Sequence, residues 1–200
     1  MPASDYFKAA VPTPFRVLGV ALRPFCAGHI VLLHRICSPF ITGGSVTRGD
    51  VMDAVFICAH DYKSGIEALN DENTVAFFRK WRNELGEFDL KKKADEFAEY
   101  VKAGSDFNMV FSAKQQKTHV PITSIPSVQV IRCRLMSYYG MTQDEVMNMP
   151  WGLAQWDFYT APVLEGSGDL VERESLESAQ SWADAEFKRL NPQFFENANN

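Results

Sequence analysis

The chain has 200 residues, of which 46% are hydrophobic and 22% are charged, and its net charge is −5. This composition is typical of a globular protein and excludes a chain that is disordered throughout. The acidic balance also argues against nucleic acid as a main partner, because phosphate binding requires a basic face.

Residues 1–14 are predicted to form a flexible, extended arm. Pro12-Thr13-Pro14 disfavours helix there, since a proline restricts the residue before it to extended conformations. No long apolar run typical of a secretory signal occurs in the arm. The apolar stretch over residues 17–40 contains Arg23, Pro24 and Arg35, so it lacks the roughly 20 uncharged residues of a membrane span. We therefore expect a cytoplasmic protein with no membrane partner.

Residues 15–165 are predicted to form a helical domain. Apolar side chains recur there at a spacing of three and four residues, which is typical of helices that bury one face. Thr47 with Asp50, and Thr142 with Glu145, have the spacing of a helix N-cap and its partner three residues later. The predicted helices cover residues 24–37, 47–60, 62–69, 73–86, 89–103, 125–139, 142–149 and 149–160.

Residues 105–125 differ from the rest of the chain because they are polar and extended in character. We expect an exposed loop of about twenty residues, of a length that is often functional, or a short strand pair. Gly166-Ser167-Gly168 is a hinge-like break, and residues 166–200 are predicted to form a C-terminal helix, at about 174–190, and a frayed tail. The predicted fold class is mainly α: a compact multi-helix bundle with an extended N-terminal arm and one long polar loop.

Four side chains early in the helical domain are of the kinds that bind zinc: Cys26, His29, His34 and Cys37. They lie on one predicted helix, and one straight helix cannot wrap four ligands around a tetrahedral ion. We therefore interpret them as core cysteines and boundary histidines. Together with Cys58 and Cys133, the cysteines are expected to be buried free thiols in a reducing compartment. No metal or other cofactor is predicted.

Cys58-Ala59-His60 places a nucleophile beside a base, but neighbours in sequence on a helix do not face each other. The chain has no G-x-S-x-G elbow, and Gly43-Gly44 lacks the Gly-Lys-Ser/Thr pattern of a phosphate-binding loop. Arg48-Gly49-Asp50 spells an integrin-type tripeptide, which we interpret as a helix N-terminus capped by Thr47. No catalytic residue is predicted, and the protein is not expected to be an enzyme.

An aromatic segment near the end of the helical domain is apolar on most sides, which indicates a buried helix or an interface. Its large side chains are Trp151, Trp156, Phe158 and Tyr159. Core packing explains such a group, but Trp and Tyr are also enriched at interface hot spots. These four residues are the candidate partner-binding residues.

Two stretches of the sequence carry a family resemblance. The first contains Leu22-Arg23-Pro24-Phe25-Cys26-Ala27-Gly28-His29, then Leu32-Leu33-His34-Arg35 and Ser38-Pro39-Phe40, and continues through residues 51–58. The second contains Tyr139-Gly140-Met141-Thr142 and Glu145-Val146-Met147-Asn148-Met149-Pro150, and continues through residues 151–159. Together they resemble small helical proteins encoded in tailed-phage and prophage tail modules, specifically tail assembly chaperones.

The resemblance implies a non-enzymatic protein of the host cytoplasm. A homo-oligomer is also compatible with the sequence. Such chaperones are thought to bind the tape measure protein, keep it soluble and help tube subunits polymerise around it. Two alternatives stay open. The first is a structural virion component, such as a neck, baseplate or other tail-associated protein. The second is a cytoplasmic metal- or thiol-dependent enzyme that uses Cys26, His29, His34 or Cys37.

Overall fold

The computed structural model describes residues 3–71, 73–107, 109–113 and 126–190. The prediction of a mainly α, compact fold is confirmed. Within the described ranges the helices are α1 (Ala3–Ala10), α2 (Ala27–Arg35), α3 (Pro39–Thr42), α4 (Arg48–Ala59), α5 (Tyr62–Asn70), α6 (Thr74–Leu85), α7 (Leu90–Ser105), α8 (Ser127–Tyr139), α9 (Gln143–Asn148), α10 (Trp151–Leu164) and α11 (Arg173–Leu190). The strands are β1 (Phe15–Val17), β2 (Val20–Leu22), β3 (Met109–Ala113) and β4 (Gly168–Glu172).

The prediction of an extended N-terminal arm was wrong for Ala3–Ala10, which form a helix. The two prolines restrict the chain near residues 11–14 but do not reach the preceding segment, which contains three alanines, the strongest helix formers. The helix α1 packs on α10, and the Tyr6 ring meets the Trp156 ring edge-on with centroids 6.0 Å apart. Packing on α10 therefore stabilises a helix in a segment that the sequence predicted to be extended.

The strands β1 and β2 form a short antiparallel hairpin, with Phe15 opposite Leu22. The connection consists of two residues, Leu18 and Gly19, both with positive φ (54° and 76°). Two-residue turns with positive φ at both positions match the twist of the flanking strands, and glycine adopts such a φ without steric penalty. The hairpin leads the chain into the segment before α2.

Capping boxes begin α4 and α9, as the sequence predicts. The Thr47 backbone N–H donates to Asp50 Oδ2 at 2.8 Å, and the Asp50 N–H donates to Thr47 Oγ1 at 3.3 Å. The Thr142 N–H and Glu145 Oε2 repeat the first contact at 2.8 Å. Because both partners of each box are local in sequence, the starts of these helices are fixed independently of the tertiary fold.

The core lies where α2, α4, α7, α8 and α9 meet. The helix α4 is at its centre, since it packs on β2, α2, α6 and α7. The largest fully buried side chains are Phe97, Leu32, Leu33, Ile57, Leu135, His29, Val17, Val51, Val55, Val146, Cys26 and Cys58. A polar imidazole and two thiols thus lie among aliphatic side chains.

The strands β3 and β4 form the second antiparallel pair, in which Met109 lies opposite Glu172. The sequence left open a loop or a strand pair over residues 105–125. One strand does form there, but its partner comes from residues 168–172, next to the predicted hinge-like break. Residues 114–125 of the predicted loop and the predicted tail over 191–200 lie outside the described residues. The division of the chain into residues 1–14, 15–165 and 166–200 stays a prediction.

Candidate functional site

The residues with reactive side chains that sequence analysis singled out meet in part around the C-terminal end of α4. His29 projects from α2, is 1% exposed, and places its Nε2 atom 3.0 Å from the backbone carbonyl oxygen of His60. Because a carbonyl can only accept a hydrogen bond, Nε2 carries the imidazole proton and donates it. The prediction that His29 is a boundary residue was therefore wrong.

Three more hydrogen bonds complete the end of α4. The Arg23 backbone N–H donates to the Cys58 carbonyl at 2.9 Å, and the His60 Nδ1 atom lies 2.8 Å from the Phe56 carbonyl. The His60 backbone N–H donates to the Ile57 carbonyl at 3.3 Å. The last carbonyls of a helix have no partner within the helix and need donors from elsewhere. Here the two histidines and the chain before α2 provide those donors.

Tyr100 of α7 closes the other side of this polar cluster. Its hydroxyl donates to the Arg23 carbonyl at 2.8 Å and lies 3.4 Å from His29 Nδ1. Sequence analysis missed Tyr100 because it lies 71 residues from His29 along the chain. The only local signal was the helical spacing of Tyr100 with the buried side chain of Phe97.

Burial decides the ionisation of the cluster. It raises the pKa of the Cys26 thiol to about 11, raises the pKa of Cys58 well above its ordinary value and raises the pKa of Tyr100. Burial also lowers the pKa of His29 to about 4, against an opposing effect of the hydrogen bond to His60. All four groups are therefore neutral at pH 7. A neutral thiol is a poor nucleophile and a poor metal ligand.

The proposed zinc-type set of Cys26, His29, His34 and Cys37 is not brought together. The side chains of His34 and Cys37 are exposed, whereas Cys26 and His29 are buried. In the described ranges, no group of three or more His, Cys, Asp or Glu side chains could hold a metal ion. The expectation of buried thiols holds for Cys26 and Cys58 but was wrong for Cys37 and Cys133, which are exposed free cysteines.

The aromatic side chains of α10 are mostly packed inside the protein. Trp151 is 7% exposed and belongs to the main core, and its backbone N–H donates to the Phe25 carbonyl at 2.8 Å. Trp156 is 9% exposed and lies between Tyr6 of α1 and Phe107, whose ring centroid is 5.4 Å away. Trp156 thus owes its burial in part to the short N-terminal helix.

Phe158 and Tyr159 are half-buried. The Tyr159 ring stacks on the ring of Phe107, with centroids 5.3 Å apart and an interplanar angle of 14°. It also stacks on Phe111 of β3 at 6.3 Å. The strand β3 therefore covers this end of α10 as α1 covers the side with Trp156. The role of the four aromatic residues in partner binding stays a prediction.

A groove runs beside α1. Two adjoining cavities of about 120 Å³ and 210 Å³ lie along it, and Phe25 and Gly104 line both. Lys8 of α1 and Asp106, which follows α7, also line both cavities and provide one charge of each sign. The lining of the groove therefore combines apolar side chains with one charge of each sign.

Among the described residues, three large apolar side chains are more than two-thirds exposed: Val11 at 77%, Leu164 and Trp182. Trp182 of α11 is 70% exposed and Leu164 at the end of α10 is 72% exposed. Sequence analysis did not single them out, although the tryptophan of α11 was a visible signal. Exposed tryptophan is uncommon on a protein surface and is enriched at binding hot spots.

The fold and the site define a mainly helical protein in which Cys26, His29 and Cys58 are buried and the N-terminal helix α1 partly covers the aromatic helix α10. No protein-family model, curated protein or solved structure matches the chain. None of the helices in the described ranges is both long enough and apolar enough to cross a membrane.

Proposed function

We propose that the protein is a non-enzymatic tail assembly chaperone of a tailed phage or prophage. It binds the tape measure protein in the host cytoplasm and keeps this partner soluble while tube subunits assemble around it. Support comes from the resemblance of two sequence stretches to this family, and from the way in which the fold joins them.

The observation that carries the proposal is the direct packing of the two resembling stretches on each other. The Trp151 backbone N–H donates to the Phe25 carbonyl at 2.8 Å. A Cβ on Gly28 of α2 would lie only 2.8 Å from the Met147 carbonyl oxygen of α9, so the two helices touch at their backbones. Stretches that begin more than a hundred residues apart in sequence thus form one structural unit. Such a unit favours a shared ancestry over two chance similarities.

The chemistry of the buried cluster agrees with a binding role. The thiols of Cys26 and Cys58 are buried and neutral, and His29 and Tyr100 donate to backbone carbonyls that the fold leaves without partners. His29 and Tyr100 thus have structural roles, and the two thiols are buried in the core. None of the four requires a reacting substrate to explain it.

The exposed side chain of Trp182 supplies a binding residue. Removal of a tryptophan from the centre of an interface commonly weakens binding by about 2 kcal/mol or more, which is roughly a thirtyfold change in dissociation constant. The neighbouring residue Ser181 is also exposed on α11. It therefore offers a matched control at the same helix.

The experiment is co-expression of the chain with the tape measure protein of the same tail module. We expect the wild type and Ser181→Ala to keep the tape measure protein soluble and to co-purify with it. We expect Trp182→Ala to lose most of the bound partner. Equal recovery by Trp182→Ala would exclude the Trp182 surface, and failure of the wild type to form any complex would contradict the proposed function.

Mass spectrometry of purified virions separates this proposal from the main alternative. A chaperone leaves the particle, so we expect the chain to be absent from mature virions. Its presence in stoichiometric amount would contradict a chaperone role and would favour a structural component of the neck, baseplate or tail.

A further inference from the structure

The N-terminal helix α1 packs on α10 at Gly152, close to Gly104 of α7. A Cβ on Gly152 would lie 3.1 Å from the Ala9 Cβ and 4.0 Å from the Gly104 carbonyl oxygen. Glycine at position 152 therefore lets the backbone of α1 approach α10 closely. Tyr6, one helical turn earlier, covers Trp156 edge-on. The two contacts together define a helix-binding groove.

The helix α1 fills this groove incompletely. It has eight residues, whereas helices shorter than about 12 residues are marginal in water without tertiary contacts. The cavities of about 120 Å³ and 210 Å³ adjoin it, and Lys8 and Pro12 line both of them. The short length of α1 and the unfilled space beside it leave room for a longer helix at the same place.

We propose that α1 is an intramolecular placeholder, and that a helix of the partner replaces it in the groove over Gly152 and Trp156. This inference rests on the proposed function, because it takes the partner to be the tape measure protein. Displacement of α1 exposes Trp156, one of the side chains that the sequence marks for partner binding. It thereby converts a covered aromatic surface into an open one.

The contacts of α1 specify the occupant. A residue with a small side chain must lie over Gly152, because the Ala9 methyl group already leaves little room there. An aromatic side chain three residues earlier reproduces the contact of Tyr6 with Trp156. A basic residue near it suits Asp106, which lines both cavities. The occupant is therefore an amphipathic helix with an aromatic, a basic and a small residue within one turn, as in Tyr6, Lys8 and Ala9.

A reversible disulfide tests the displacement directly. The Ala9 Cβ and a Cβ at position 152 would be 3.1 Å apart, which a small shift brings to the roughly 3.5–4.5 Å of a disulfide. The variant Ala9→Cys/Gly152→Cys therefore locks α1 on α10 when oxidised and frees it when reduced. Ala9→Cys alone, treated with the same oxidant, controls for reaction of the exposed native thiols of Cys37 and Cys133.

Co-purification of the full-length tape measure protein is the readout. We expect the oxidised double variant to bind at least about tenfold less than the same protein after reduction. Gly152→Cys alone, measured beside it, gives the effect of the new side chain in the groove, so that the redox difference reports the lock. Equal binding by both forms would overturn the placeholder role while leaving the proposed function in place. Absence of binding by the wild type as well would overturn both.

A second variant tests whether removal of α1 favours binding when the residues of the groove are unchanged. Ala9→Glu places a carboxylate against Gly152 and expels α1, but leaves the residues of α7 and α10 that form the groove unchanged. We expect this variant to bind the tape measure protein more tightly than the wild type by at least about threefold, because the partner no longer competes with α1. Unchanged or weaker binding by a folded Ala9→Glu protein would overturn the inference.

Discussion

The buried imidazole of His29 makes the stability of the protein depend on pH. Burial lowers its pKa from the ordinary value of 6.5 to about 4. Arg23 lowers the pKa further, whereas the hydrogen bond to the His60 carbonyl and the charge of Asp61 raise it. Between these two pKa values the unfolded chain binds a proton that the folded chain does not, so protonation favours unfolding.

The size of the effect follows from the gap between the two values. A difference of about 2.5 pH units, at 1.36 kcal/mol for each unit, corresponds to roughly 3 kcal/mol of folding free energy. This stability is fully present above about pH 6.5 and is lost as the pH falls to about 4. Because small domains are commonly stable by only 5–15 kcal/mol, the loss is a large fraction of the total.

Urea unfolding of the wild type and of His29→Gln, at steps from pH 4 to pH 7.5 and constant ionic strength, measures this term. Glutamine keeps an N–H donor for the His60 carbonyl but does not titrate. We expect the stability advantage of the wild type to shrink by about 3 kcal/mol across the range. His34→Gln, at an exposed position of the same helix, should leave the wild-type profile unchanged. A constant difference between the wild type and His29→Gln would refute the reasoning.

Three further substitutions test the packing by their free energies of unfolding in urea. Gly28→Ala should lose about 1–3 kcal/mol, because its methyl group meets the Met147 carbonyl oxygen at 2.8 Å and a backbone atom cannot move aside cheaply. Gly49→Ala should be neutral or gain up to about 1 kcal/mol, since its nearest neighbour is the Arg82 guanidinium at 3.4 Å and alanine favours helix. Equal values for the two would contradict the close approach of α2 and α9. Thr142→Ala should lose about 1 kcal/mol with the capping box of α9, and an unchanged value would mean that tertiary contacts alone start that helix.

Local features of the fold could be predicted from the sequence. The N-caps at Thr47 and Thr142 are confirmed because each depends on residues three positions apart. The helices predicted over residues 73–86 and 125–139 also end as expected, at Gly86 and Gly140, and both glycines have positive φ. Such signals act within one turn of helix, so they need no knowledge of the tertiary fold.

Features that depend on distant residues could not be predicted. The helix α1 is stabilised by Trp156, about 150 residues away along the chain. The effect of proline on its neighbours gives no information about such a contact. The strands β3 and β4 pair Val110 with Val171 across all of α8, α9 and α10. A five-residue strand carries little periodicity by which to find a partner at that distance.

The candidate site shows the same division. The sequence argument that Cys58 and His60 do not face each other as a nucleophile and a base needs helix geometry alone, and the structure places His60 Nδ1 at the Phe56 carbonyl. It did not reveal that the His60 carbonyl binds His29, or that Tyr100 binds the Arg23 carbonyl. These residues become neighbours only because α2 and α7 both pack on α4. The positions of His29 and Tyr100 therefore depend on backbone carbonyls that need donors, and the sequence does not show which carbonyls these are.

The need of backbone carbonyls for donors also explains why polar side chains lie in a core where aliphatic ones would pack as well. The end of α4 and the chain before α2 meet at the edge of the core, and a carbonyl shielded from water without a donor costs about 1–3 kcal/mol. His29 and Tyr100 satisfy two such carbonyls with neutral donors, and burial keeps both neutral at pH 7. Charged donors would need a counter-charge that the surrounding apolar residues do not provide. Neutral hydrogen bonds therefore stabilise the interior. The proposed contact with a partner is left to aromatic side chains, namely Trp182, which is exposed, and Trp156, which α1 covers.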